Sequence, residues 1–255
     1  MIKMGVSHAY ITPPVGAKID GFAAREPSST GVSDNLKVIS LVVSDGETKA
    51  AVVSCDLLDV DANLVNEIRA ETNKRTSIPR KNISVACTHT HYGPTVSKFN
   101  AFFKGSADIA AYRAGLKFHI AGTINEACAN TQETISGVGW GTSSIGVNRR
   151  ERQLDGRIII GQNREKPVDR QVGVMRFLSS DGKPLACIVN FACHPVCQTW
   201  ASRFVSADYP GKTREVVETL TGARCMFLQG ACGDINPVLM QLSYEPAKKL
   251  GTQLG

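Results

Sequence analysis

The stretch ISVACTHTHYGP, residues 83–94, sets His89 and His91 one residue apart at the end of an apolar run, in a chain with only five histidines. Imidazole is the commonest metal ligand of proteins, and zinc takes histidine and carboxylate donors, keeping a position open for water in catalytic sites. A third histidine, His194 in FACHPV, follows another apolar run, and Pro195 turns the chain out of any sheet there. Asp56, after KAAVVSC, and Asp234, after RCMFLQGACG, occupy the same kind of position. A lone strand-end histidine is commonly a hydrogen-bonded core residue. Three of them with two strand-end carboxylates point instead to a metal site. Residues i and i+2 of a strand share a face, so His89 and His91 are expected to look into one cavity. His8, near the terminus, and His119, within a helical pattern, fall outside this context and read as structural or exposed.

Cysteine ligation is the rival. Cys193 and Cys197 flank His194, and Cys232 lies in GACGD, which makes a Cys/His structural zinc site conceivable, although the spacing matches none of the usual zinc pairs. QGACGD lacks the GK[ST] ending of a phosphate loop.

These residues need elements to position them. KAAVVSC, NISVACT, PLACIVNFAC and RCMFLQG are short, apolar and β-branched enough for buried strands. Between the first two, DANLVNEIRAETNKR carries one apolar helical stripe through Leu64, Val65 and Ile68, which gives a βαβ unit. Further helices are expected in ADIAAYRAGLKFHIAGTINEACANTQ and in KTREVVETL, the latter stopping at Gly222. The segment from Asn163 to Phe191 alternates and turns at Asp181–Gly182, as an antiparallel hairpin does. The expected fold is α/β, a mixed central β-sheet covered by helices, with the metal site at the carboxyl ends of the strands, where α/β sheets bind ligands.

Composition narrows the function. The chain has 255 residues, 42% hydrophobic and 20% charged, as an ordinary globular protein has. No apolar run is long enough to span a membrane, and no secretory signal is visible. The net charge of +6 is scattered, without aromatic interleaving, which argues against nucleic acid as a partner. Eight cysteines in mostly apolar runs, with no CxxC ladder, read as buried free thiols and suggest a cytoplasmic protein. Oligomeric state is not legible.

Seven stretches in order, GVSHAYITPPVGAKIDGFAAR, SCDLLDV, THTHYGP, NRR, NFACHPV, SADYPG and FLQGACGDINP, resemble the N-terminal catalytic domain of neutral/alkaline non-lysosomal ceramidases and their shorter prokaryotic relatives. The resemblance implies a zinc-dependent amide hydrolase in which His89 and His194 bind zinc. It implies that His91 lines the site and stabilises or protonates the reacting group, and that Arg149 faces the substrate; read by itself, Arg149 is a solvated charge in NRRER. Two departures stand out. Ceramidases carry serine in a Gly-Asp-x-Ser-Pro motif where this chain has Asn236. The family also completes its zinc shell with a glutamate and a tyrosine that lie beyond residue 255. EPAKKLGTQLG reads as a helix begun at Pro246 and cut without a cap. The expectation is one domain over residues 1–255, truncated at its C-terminus.

If the chain is complete, another ligand is needed. Asp56 is the first candidate, with capping of the following helix as its alternative role. Asp234 is the second; it alternatively binds amides of its own turn or orients a histidine, a carboxylate's usual part behind a metal. The expectation is therefore a Zn2+ hydrolase cleaving an amide bond of a small or amphiphilic N-acyl compound rather than ceramide, with His89, His194 and Asp56 on the metal and His91, Arg149 and Asp234 catalytic. The alternatives are a metal-dependent esterase, a metal-binding but silent domain, and a nonmetal binding module with core histidines.

Overall fold

The computed structural model describes residues 2–25, 28–97 and 107–255. The elements in chain order are β1 (Lys3–Tyr10), β2 (Gly31–Val32), β3 (Lys37–Ser44), β4 (Lys49–Cys55), α1 (Ala62–Thr76), β5 (Ile83–Cys87) and α2 (Ala107–Ala129). There follow β6 (Gln132–Thr142), β7 (Gly146–Arg152), β8 (Ile158–Asn163), β9 (Gln171–Ser179), β10 (Pro184–Phe191), β11 (Phe204–Val205), α3 (Asp208–Thr221), β12 (Arg224–Gln229), β13 (Ile235–Pro237) and α4 (Glu245–Leu254). All four strands and all three helices expected from the sequence are present, and α4 is the helix expected at Pro246.

Eight strands hydrogen-bond in the order β12-β10-β9-β6-β1-β3-β4-β5. The pairs β4–β5 and β10–β12 are parallel and the others antiparallel, so the sheet is mixed as expected. The β9–β10 hairpin turns at Asp181–Gly182, where Gly182 has φ 83° and donates its N–H to the Ser179 carbonyl.

Strand alternation decides the layers, because successive side chains point to opposite faces. On β3, Val38 and Val42 pack with Leu64 and Ile68 of α1 and with Leu116, Ile120 and Ile124 of α2. The intervening Ile39 and Leu41 pack instead with Phe177, Ala186 and Met226 from the other half of the sheet. On that half, Val189, Phe191, Cys225 and Phe227 face Tyr209 and Val217 of α3 and Ala247 and Leu250 of α4. Helices therefore cover only the outer faces, and the two half-sheets lie against each other, giving an α/β/β/α sandwich. The halves are joined in the ladder by only two residue pairs, Lys3–Glu133 and Met4–Gln132, which is what lets the sheet fold over there.

Folding over brings the two ends of the ladder together. Ser54 Oγ on β4 donates to the Phe227 carbonyl on β12 at 2.6 Å, and Gln229 Nε2 donates to the Thr88 carbonyl at 3.0 Å. The carboxyl ends of β5, β10 and β12 thus meet at one rim.

Local chemistry sets the helix ends. Asp61, not Asp56, caps α1, its carboxylate accepting from Leu64 N at 2.8 Å. Helix α3 stops at Gly222, with φ 74°, as expected, but begins at Asp208 rather than Lys212, because Pro210 is tolerated in a first turn. Among the described residues no helix is long and apolar enough to cross a membrane. All eight cysteines are free thiols, six of them buried.

Candidate metal centre

Three histidine rings converge at this rim. The ring centres of His89 and His91 are 5.0 Å apart, those of His89 and His194 5.1 Å, and those of His91 and His194 5.4 Å. The convergence expected from the sequence is present, but the strand geometry invoked for it is not. β5 ends at Cys87, and His89 lies beyond it in the left-handed region, φ 66°. A non-glycine residue held there costs on the order of 1–3 kcal/mol and persists only where its surroundings enforce it. Here the His89 N–H donates to the Leu57 carbonyl at 3.0 Å and its Nδ1 bonds the Leu58 carbonyl at 2.9 Å.

A carbonyl oxygen only accepts, so Nδ1 of His89 carries the proton and Nε2 is left with its lone pair. The same logic fixes His194, whose Nδ1 donates to the Cys232 carbonyl at 2.6 Å and approaches the Ile235 carbonyl at 3.3 Å. An imidazole with one nitrogen tied to a backbone carbonyl and the other free is the arrangement that metal-ligating histidines use. One ring nitrogen each of His89 and His194 and the Cys232 sulfur lie within 4.8 Å of one another. The donor set fits a zinc-type ion.

His91 is held differently. Its ring meets the edge of Phe22 at 4.9 Å between centres, and Arg25 Nη1 donates to its carbonyl at 2.6 Å. Gly21, φ 106°, lets the backbone pass against the ring; a Cβ there would lie 2.6 Å from His91 Cβ. Both His91 ring nitrogens are buried and, among the described residues, neither makes a well-formed hydrogen bond, Gly21 being the backbone group that interacts with the ring. Burial, reinforced by His89 and His194, holds its pKa well below the ordinary imidazole value. His194 is pushed down to about 4 by burial, then by Arg149 and His89. Both rings are neutral at pH 7.

Arg149 reaches the cluster from β7. Its N–H donates to the Asp234 carbonyl at 2.7 Å, and its Nε is buried without a partner among the described residues. Burial, and then Arg150, lower its pKa. The Asp234 carboxylate accepts from Asn148 Nδ2 at 2.9 Å, so this aspartate ties β7 to the β12–β13 turn and is not among the clustered donors. Asn236 follows on β13, buried, with its Oδ1 unpartnered among the described residues.

Asp56 is placed elsewhere, which corrects its assignment as a ligand. Its two oxygens accept from Arg214 Nη1 and Nη2 at 2.7 and 2.6 Å, from Lys37 N at 2.7 Å and from Thr88 Oγ1 at 3.2 Å. This carboxylate is saturated and fully buried, leaving no lone pair directed at the histidines. Among the remaining histidines, His8 lies on β1 and His119 is exposed on α2.

Sequence reasoning missed Gln229. Its Nε2 donates to the carbonyls of Thr88 and Cys193, at 3.0 and 2.9 Å, and its Oε1 accepts from Cys193 N at 3.2 Å. Thr88 and Cys193 precede the two ligand-type histidines, so one amide clamps both loops. Its only sequence signal is its place as the last residue of an apolar strand.

Comparison with known proteins agrees with this architecture. The chain superposes on the crystal structure of neutral ceramidase from Pseudomonas aeruginosa with a TM-score of 0.83 at 19% identity, covering 99% of this chain and 43% of that one. A ceramidase complexed with C2 gives the same score and identity, over 99% and 42%. The chain spans less than half the length of these structures, and at this identity the likeness shows the fold. The sequence itself matches the N-terminal profile of the neutral/alkaline non-lysosomal ceramidases over residues 2–241, and the chain belongs to that family.

Proposed function

We propose that this domain is the metal-binding part of a zinc-dependent hydrolase that cleaves the amide bond of a small or amphiphilic N-acyl compound. The observation that carries the reading is the pair of histidines whose Nδ1 atoms are hydrogen-bonded to backbone carbonyls and which each bring a ring nitrogen into one cluster with the Cys232 sulfur. When bound, zinc supplies Lewis-acid polarisation of the scissile carbonyl and a water activated at neutral pH.

The chain's own residues divide the remaining work. His91, neutral and with the Gly21 backbone against its ring, serves as an N–H donor to the developing oxyanion; burial disfavours the imidazolium that proton donation to a leaving group requires. Arg149 keeps its charge and presents a buried Nε with no partner among the described residues, so it stabilises the same negative charge. Asp234 is a positioning residue, its carbonyl holding the Arg149 backbone and its carboxylate the neighbouring Asn148. Asn236 replaces a hydroxyl with an amide, which supports a substrate other than ceramide.

Hydrolysis of a panel of N-acyl amides, the matching esters and ceramide tests the reading. Turnover of short amides that EDTA abolishes and zinc restores is expected. Arg149→Ala should lower kcat about 10²–10³-fold, as loss of one oxyanion donor does, with zinc content unchanged. Bound zinc with no turnover of any substrate would overturn the catalytic reading in favour of a silent metal-binding domain. Preference for esters would replace the amidase by an esterase.

A further inference from the structure

The donor set around His89 and His194 contains a third member that neither the histidine motifs nor the strand-end carboxylates anticipate. Cys232 sits in the turn between β12 and β13, and its sulfur lies within 4.8 Å of the donor atoms of both histidines. Its backbone is part of the same construction. The Cys232 carbonyl is the acceptor that fixes the His194 ring, its N–H donates to the Gly230 carbonyl at 2.9 Å, and Ile235 N donates back to its carbonyl at 3.0 Å. Thiol and imidazole are thus carried on one braced loop. Burial pushes the Cys232 thiol pKa up, and the Arg149 charge beside the sulfur works against that rise. Asp56, the alternative anionic ligand, is consumed by Arg214.

We infer that Cys232 is a direct ligand, as thiolate, of the ion held by His89 and His194, making a His2Cys donor set within this domain. This rests on the metal reading above. Tetrahedral zinc, with Zn–N about 2.0–2.1 Å and Zn–S about 2.3 Å, needs donor separations of roughly 3.3–3.6 Å, a short closure from the observed cluster. On binding, the sulfur–metal bond forms, the S–H bond breaks and the proton passes to bulk water. A soft thiolate favours zinc or cobalt over magnesium, calcium or manganese.

Cobalt(II) loaded into the chelator-stripped protein reads this directly. The wild type should show a thiolate-to-cobalt charge-transfer band in the near ultraviolet. Cys232→Ser should lose that band and weaken cobalt binding by more than the roughly 10–100-fold typical of losing an outer-shell partner. Cys128→Ser, half-buried on α2, should keep both. X-ray absorption on the zinc-loaded wild type needs no variant and should find one sulfur at about 2.3 Å. Cobalt bound with no thiolate band, a band that survives in Cys232→Ser, or a zinc shell of nitrogen and oxygen alone would overturn the inference and leave the hydrolase reading standing. Wild type that binds neither cobalt nor zinc would instead overturn the metal reading beneath it, before any variant is made.

Discussion

Replacing Arg214 by Met should destabilise the protein severely while sparing its metal site. Arg214 and Asp56 are both essentially out of solvent, joined through two bonds of 2.7 and 2.6 Å. Burial opposes the Arg214 charge and the Asp56 carboxylate overcomes it, leaving its pKa above the usual arginine value. Methionine fills a similar volume but leaves the Asp56 anion with only Lys37 N and Thr88 Oγ1 as donors. Removing one partner of a buried pair costs about 3–5 kcal/mol, which for a chain of this size lowers Tm by roughly 6–20 °C. Calorimetry and denaturant unfolding followed by far-ultraviolet circular dichroism measure it. Asp56→Leu combined with Arg214→Met should recover part of the loss, because two apolar groups need no counter-charge. The recovery stays partial, since Lys37 N and Thr88 Oγ1 then lose their acceptor. At low temperature the folded Arg214→Met protein should bind as much zinc as wild type. A loss under about 1 kcal/mol, or loss of zinc without loss of stability, would refute the assignment of Asp56 to structure.

Two further outcomes are expected. Gln229→Leu removes three hydrogen bonds between the histidine loops and should weaken zinc binding about 10–100-fold in a competition titration, without removing any donor; an unchanged affinity would deny the clamp. In the metal-free protein, unfolded imidazoles take up protons near pH 6.5, whereas folded His194 resists until about 4. The stability this provides is complete above about pH 6.5 and is lost as pH falls toward 4. Tm of the EDTA-treated protein should therefore drop between about pH 7 and about pH 5, by less in His194→Asn; an equal drop in both would assign it to other groups.

What the sequence made legible follows from local physics. Strand, helix and hairpin signals are short-range, so KAAVVSC, NISVACT and the Asp181–Gly182 turn read correctly, as did Gly222 as a helix stop. The histidines are legible because THTH and ACHP sit at strand ends. Pairings across long separations were hidden. Asp56 and Asp61 both precede a helix, and nothing local says that Arg214 neutralises the first while the second caps α1. Cys232 reads from sequence only as part of a rival Cys/His site that matches no usual zinc spacing, because spacing rules describe donors within one motif, whereas this cluster is assembled from the ends of β5, β10 and β12. Their meeting depends on a two-pair ladder between β1 and β6, a fold-over that no window of sequence records.

The central claim is that His89 and His194 are there to hold a metal. Zinc content of the purified protein by elemental analysis, beside His89→Ala and His194→Ala, tests it most directly. The account requires about one zinc per folded wild-type chain and its loss in both variants. A folded wild type without metal that zinc addition does not load, or variants that keep wild-type zinc, would contradict it.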